Sequence, residues 1–189
     1  MTTEEKIWTY LKAQGCTEAG AAGLMGNLFA ESGLKSNNLQ NNYEKKLGYT
    51  DNAYTRAVDS GTYINFVRDS AGYGLAQWTH WSRKEALLNF AKSNKMSIGD
   101  LDMQLAFLIK ELKSSFKTVW NTLIATNSVR EASDIVLLKF ERPADQSEAA
   151  KERRYQYGMK YYNQFVVQQP VQTAPTISIP TATTTTIIQ

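Results

Sequence analysis

Cysteine and histidine each occur once in these 189 residues, as Cys16 and His80. One cysteine excludes an intramolecular disulfide and any metal site built from cysteine pairs. One histidine excludes a histidine-rich metal centre and any mechanism that needs two imidazoles. No apolar run approaches the roughly 18 residues of a membrane-spanning helix, and Met1-Thr2-Thr3-Glu4-Glu5-Lys6 lacks the basic-then-apolar order of a secretory signal. Neither charge sign dominates: 21 Lys and Arg face 18 Asp and Glu, for a net charge of +3. The densest basic pairs, Lys45-Lys46, Arg83-Lys84 and Arg153-Arg154, are scattered, whereas nucleic-acid binders gather charge on one face. No nucleic acid, membrane, metal or cofactor is therefore expected, and a mild positive field suits an anionic polymer. Carboxylate chemistry is what these absences leave open.

Proline is also scarce, and three of its four occurrences, Pro170, Pro175 and Pro180, fall in one segment that carries no charge, glycine, tyrosine or tryptophan. That segment, residues 166–189, ends in a threonine-rich stretch with Thr183 to Thr186 in a row. It has too little apolar surface to offset its ordering entropy and reads as a flexible linker or tail. A further module is expected beyond it. Residues 1–165 form one domain, 42% of the whole chain being hydrophobic; a chain of this size buries roughly 70% of its unfolded surface, enough for a core without staples. A monomer is expected.

Within that domain helix signals dominate, so the fold class is mainly α. Thr3 is placed to cap a helix to Gln14, and Thr17 one that carries Leu24, Met25, Leu28 and Phe29 and ends at Gly33. Thr79 or Ser82 caps a third, Ser82 with Glu85 as a capping box. Asp100 opens a fourth, and Phe116 to Ile124 hold a fifth. Ser128 opens a sixth through Phe140, stopped by Pro143, and Asp145 a seventh that carries Tyr157 and Tyr161. Residues 34–72 break this pattern as an irregular or β-hairpin insertion: a polar, asparagine-rich stretch, a short helix from Thr50-Asp51 to Val58, and room for a small hairpin around Thr62 to Val67. Long polar excursions between strong helices are often functional.

Glu31 is the residue to single out. It shares a helical face with Leu24 and Leu28, is the only carboxylate on that stripe, and stands at the helix end just before the polar excursion. A carboxyl set against apolar neighbours is suited to hold a proton for general-acid work. Gly20, Gly23 and Gly26 recur every third residue of the same helix, each costing about 1 kcal/mol relative to alanine. Close approach by another helix would explain them and make this helix central and buried. The second feature is Gly72-Tyr73-Gly74-Leu75-Ala76-Gln77-Trp78-Thr79. Its glycines allow a turn close to a ligand, Gln77 offers donor and acceptor, and Tyr73 and Trp78 offer flat faces with polar edges suited to sugar rings.

Together, Glu31-Ser32-Gly33-Leu34 and the Gly72-to-Thr79 turn resemble the phage tail-type lysozyme family. The resemblance takes in Arg83-Lys84, Leu87-Leu88 and Phe140-Glu141-Arg142-Pro143, and so nearly all of residues 1–165. More distantly the chain is similar to goose-type lysozymes and lytic transglycosylases. The resemblance implies a lysozyme-like helical fold with residues 34–72 as its irregular insertion. It also implies cleavage of the β-1,4-linked glycan of a Gram-positive-type peptidoglycan, with Glu31 as general acid. Tyr73, Gln77 and Trp78 are expected to floor the cleft. Hydrolysis needs a second carboxylate. Asp69 is expected in that role because goose-type enzymes place an Asp shortly before the turn, with Asp59, Asp51 and then Glu44 as further candidates. Thr79 stands where goose-type enzymes usually offer another carboxylate, which leaves open a mechanism with one acid. Such a mechanism is that of a lytic transglycosylase. A wall-binding module without catalysis and a structural tail component also fit these residues. His80 between two tryptophans, Cys16 at a helix start and Glu141 beside Arg142 read as packing or helix-end residues. Without a signal peptide, release through a holin or carriage on a phage tail is expected.

Overall fold

In the computed structural model, which describes residues 1–168, the glycine-bearing helix is the axis of the molecule. Thr17 caps it by accepting from the Gly20 N–H, and Gly33, in the left-handed conformation at φ 62°, ends it. The helix, Glu18–Ser32, is labelled α2; the preceding helix α1 spans Thr3–Ala13. Ten consecutive residues of α2, Ala19 to Leu28, are buried. A Cβ at Gly20 would meet the Leu123 carbonyl, one at Gly23 would lie 2.7 Å from the Ser133 nitrogen, and one at Gly26 would strike the backbone of Arg154 and Gly158. Each glycine thus admits a different helix: α7 (Lys117–Leu123), α8 (Val129–Ile135) and α9 (Glu148–Tyr162). The close approach expected from sequence is made three times over.

The remaining helices are α3 (Asn41–Leu47), α4 (Asp51–Asp59), α5 (Trp81–Ser93) and α6 (Leu101–Ser115), giving nine α-helices among the described residues. Most begin where a side-chain oxygen satisfies a free N–H of the first turn: Thr50 for α4, Asp100 for α6 and Ser128 for α8. Three starts differ from expectation. Thr2 rather than Thr3 forms the capping box, with Glu5. His80 rather than Thr79 or Ser82 caps α5, its Nδ1 accepting from the Ser82 N–H. Ser147 rather than Asp145 opens α9, while Asp145 accepts from the Ser147 N–H. The helix expected from Ser128 through Phe140 also changes pitch: after Ile135, the end of α8, it widens into a π-helical turn, Val136–Glu141, and Arg142 follows at φ 47°.

Residues 34–72 hold two helices and no strand. Instead of a hairpin, the Tyr63 N–H donates to Ala57 at the end of α4, and the Arg68 and Asp69 N–H groups donate to Asn65. With those donors taken, no ladder forms. An isolated antiparallel bridge of Leu39 with Tyr73 ties the insertion to the glycine turn, and a second, Tyr73 with Trp78, closes the turn itself. The expected tail lies outside the described residues except for its first three, of which Val166 and Val167 belong to a second π turn, Asn163–Val167. No described helix is long and apolar enough to cross a membrane.

Candidate active site

Glu31 sits in the last turn of α2, its side chain 18% exposed. Ser32 fixes that end: its hydroxyl donates to Leu28 within the helix and to the Leu75 carbonyl of the glycine turn. The crossing at Gly26 brings in the next partner. Arg154, one turn before Gly158 on α9, donates through Nη2 to Glu31 Oε1 at 2.5 Å and through Nη1 to Asn27 Oδ1 at 3.1 Å. Asn27, one turn before Glu31 and fully buried, donates in turn to the Gly23 and Ser133 carbonyls. Glu31 is therefore held from the core outwards by a chain of hydrogen bonds.

The glycine turn forms the facing wall. Gly74 (φ 80°) and Gln77 (φ 45°) adopt left-handed conformations that reverse the chain, and Tyr73 and Trp78 exchange backbone hydrogen bonds across it. Buried Gln104 clamps the turn from beneath, accepting from the Leu75 N–H and donating to the Ser36 and Ile98 carbonyls. The Gln77 amide donates to Asn38 and Gly74. Between this turn, Glu31 and the segment after α8 lies a cleft of about 670 Å³. Gln40, Tyr43, Ser70, Gln77, Thr79, His80 and Arg83 line it together with Glu31, Glu141, Arg142 and Pro143.

Of the residues expected here, Glu31 and Gln77 line the cleft and His80 joins them. Tyr73 and Trp78 do not form its floor. Both are fully buried: the Tyr73 hydroxyl pairs with Thr55, and the Trp78 indole N–H donates to Glu111. Their polar edges are satisfied inside the protein, so they support the turn and leave no ring face for a sugar. Asp69 is likewise absent from the cleft lining. One carboxylate oxygen accepts from the Lys84 ammonium at 2.5 Å and the Ala71 N–H, the other from the Tyr54 and Tyr63 hydroxyls. Burial pulls Lys84 below the ordinary lysine range while the Asp69 hydrogen bond and charge oppose it. Asp59 accepts from Ser97 and Ile98, and Asp51 from the Leu39 N–H. These aspartates staple loops.

Three contributors escape a reading of the sequence. Arg154 shows there only as half of a basic pair, and Arg83 only as half of another and as part of a resemblance. Glu141 sits on the π turn with its Oε1 shielded from solvent and without a hydrogen-bond partner. The usable signal for it was the Phe140-Glu141-Arg142-Pro143 string. Arg83 lies over the Phe140 ring and forms a two-point pair with Glu111 at 2.6 and 2.8 Å. The described residues hold no group of three or more His, Cys, Asp or Glu placed to take a metal ion.

Morphogenesis protein 1 of Bacillus phage B103 is 26% identical over 161 residues, which cover 82% of this chain and 37% of that protein. The chain thus spans little more than a third of the relative it matches. The family model described as phage tail lysozyme matches residues 2–165, the whole helical domain with Glu31, the glycine turn and Glu141. The chain belongs to the phage tail lysozyme family.

Proposed function

We propose that this domain is a peptidoglycan glycoside hydrolase that cleaves the β-1,4 bond between N-acetylmuramic acid and N-acetylglucosamine, with Glu31 as its general acid. The observation that carries the reading is the placement of Glu31: a carboxyl at the end of a buried helix, anchored by Arg154 and opening into a cleft walled by the glycine turn. Glu31 gives its proton to the glycosidic oxygen as the bond to the anomeric carbon breaks, and an oxocarbenium-like centre develops beside it. Gln77, Gln40, Thr79 and Tyr43 supply the donors, acceptors and one aromatic edge along which hydroxyl and acetamido groups dock. The match to a phage morphogenesis protein supports delivery on the virion to a Gram-positive-type wall over release through a holin.

Mass spectrometry of borohydride-reduced products from purified peptidoglycan tests this, with Glu31→Gln alongside. Fragments with reduced muramic acid ends are expected from the parent protein, and Glu31→Gln is expected to lower turnover at least ~100-fold, the ordinary contribution of a positioned acid, while still sedimenting with the wall. Parental turnover by Glu31→Gln would overturn the assignment. Anhydro-ended fragments would replace hydrolysis by lytic transglycosylation on the same glutamate. No fragments from several walls would leave a binding module.

A further inference from the structure

We propose that Glu141 is the second carboxyl group of the cleft and works with Glu31 as base to its acid. The inference rests on the reading of Glu31 as the acid, and it gives Glu141 the part expected of Asp69.

Four observations lead to it. First, Glu141 and Glu31 line the same cleft, brought together from the π turn after α8 and from the end of α2. Second, the aim of Glu141 is built: it closes the π turn Val136–Glu141, and left-handed Arg142 then breaks the helix so that the carboxyl ends in the cleft and not along a helix face. Single π turns inside helices recur at functional sites. Third, its Oε1 is buried without a partner, an arrangement that a merely structural glutamate would fill, as Asp69 does with four. Fourth, every charged group that acts on it comes from a different element: Glu31 from α2, Arg83 from α5, Glu111 from α6 and Arg154 from α9. Burial pushes the Glu141 carboxyl well above the ordinary carboxylate range. The Glu31 charge adds to this, Arg83 and Arg154 oppose it, and Glu111 adds a smaller push.

Hydrolysis needs one carboxyl protonated and the other ionised, and two interacting carboxyls with one proton meet that need as a unit. In the reactive form Glu31 carries the proton and Glu141 the charge. Glu31 protonates the leaving oxygen, which takes the electron pair of the breaking bond. Glu141 accepts a proton from water as the water oxygen bonds to the anomeric carbon. One water is consumed and the pair still holds one proton, now on Glu141, with the charge on Glu31 beside Arg154. The Arg154 guanidinium stands against the charge left on Glu31. Return of the proton to Glu31 starts the next turnover.

The experiment is the pH profile of kcat and kcat/KM on purified peptidoglycan for the parent, Glu141→Gln, Glu141→Asp and Glu31→Gln, with thermal melts of each. Glu141→Gln is expected to lose at least ~100-fold in kcat with wall binding kept and one limb of the profile gone, and Glu141→Asp to recover part of both. Parental kcat and profile in Glu141→Gln, with Glu31→Gln inactive, would overturn this proposal and leave Glu31 in place. An active Glu31→Gln would remove the reading beneath it. A second measurement does not depend on how Glu141 variants fold: the assigned ¹³C carboxyl resonance of Glu141 is expected to titrate at lower pH in Glu31→Gln than in the parent. An unmoved midpoint would overturn the pairing.

Discussion

A carboxylate whose side chain is 3% exposed and which accepts from Lys84, Tyr54, Tyr63 and the Ala71 N–H has no free lone pair for a substrate. Asp69 therefore belongs to stability. Its replacement by asparagine leaves the Lys84 ammonium, itself without exposure, short of its countercharge, and breaking a buried pair costs about 3–5 kcal/mol. Urea unfolding of Asp69→Asn is expected to show a loss of that size. Below its transition, the variant is expected to keep wall lysis per folded molecule within a few-fold; a ~100-fold loss there would instead make Asp69 a catalyst. At this scale Glu31 was legible because its setting is local: an apolar stripe, a helix end, a glycine beyond. Tyr73 and Trp78 misled because a ring with a polar edge looks the same in sequence whether a sugar or a Thr55 and a Glu111 satisfies that edge. Arg154 could not be read at all, since its partner lies 123 positions away.

At the scale of elements, the three glycines of α2 are the clearest case of sequence foretelling packing, and Gly26 is the one the site depends on. An alanine there gains about 1 kcal/mol of helix propensity. Its Cβ would press on the backbone of α9 at 2.7 Å from the Arg154 carbonyl, a place where no flexible side chain can yield. Overpacking of this kind costs about 1–3 kcal/mol. Gly26→Ala is expected to lower the melting temperature and, by displacing α9, to lower turnover further than the lost stability explains. A parental melt and parental rate would show that α9 moves aside freely. The caps tell the complementary story. Thr17, Thr50, Asp100 and Ser128 were readable because one side chain meets one N–H nearby. For α1 and α9 the cap lies one and two residues from the expected Thr3 and Asp145, at Thr2 and Ser147, whose side chains reach the Glu5 and Ala150 N–H groups. Of the two forms open to the insertion, irregular and hairpin, the irregular one is taken because donors around Thr62 to Val67 pair with α4 and the turn at Asn65.

For the whole molecule, the raised Glu141 carboxyl couples stability to pH. A carboxyl that binds its proton more tightly folded than unfolded makes its contribution in full below its ordinary value of 4.5, and that contribution is lost as pH rises through the raised folded value. Above that point a charge must be held in the cleft beside Glu31. Melting temperature is therefore expected to fall for the parent, relative to Glu141→Gln, as pH rises from about 4.5 towards neutrality; parallel curves for the two proteins would count against a raised Glu141. The same distances in the chain set the order of events in folding. Local contacts close cheaply, while joining Asn27 to Ser133 or Glu31 to Arg154 closes loops of more than a hundred residues and bears the larger entropy. A chain emerging from synthesis holds Glu31 from early on, yet Glu141 and Arg154 arrive with its last helices. The cleft is thus complete only when the two ends of the domain's sequence have packed together.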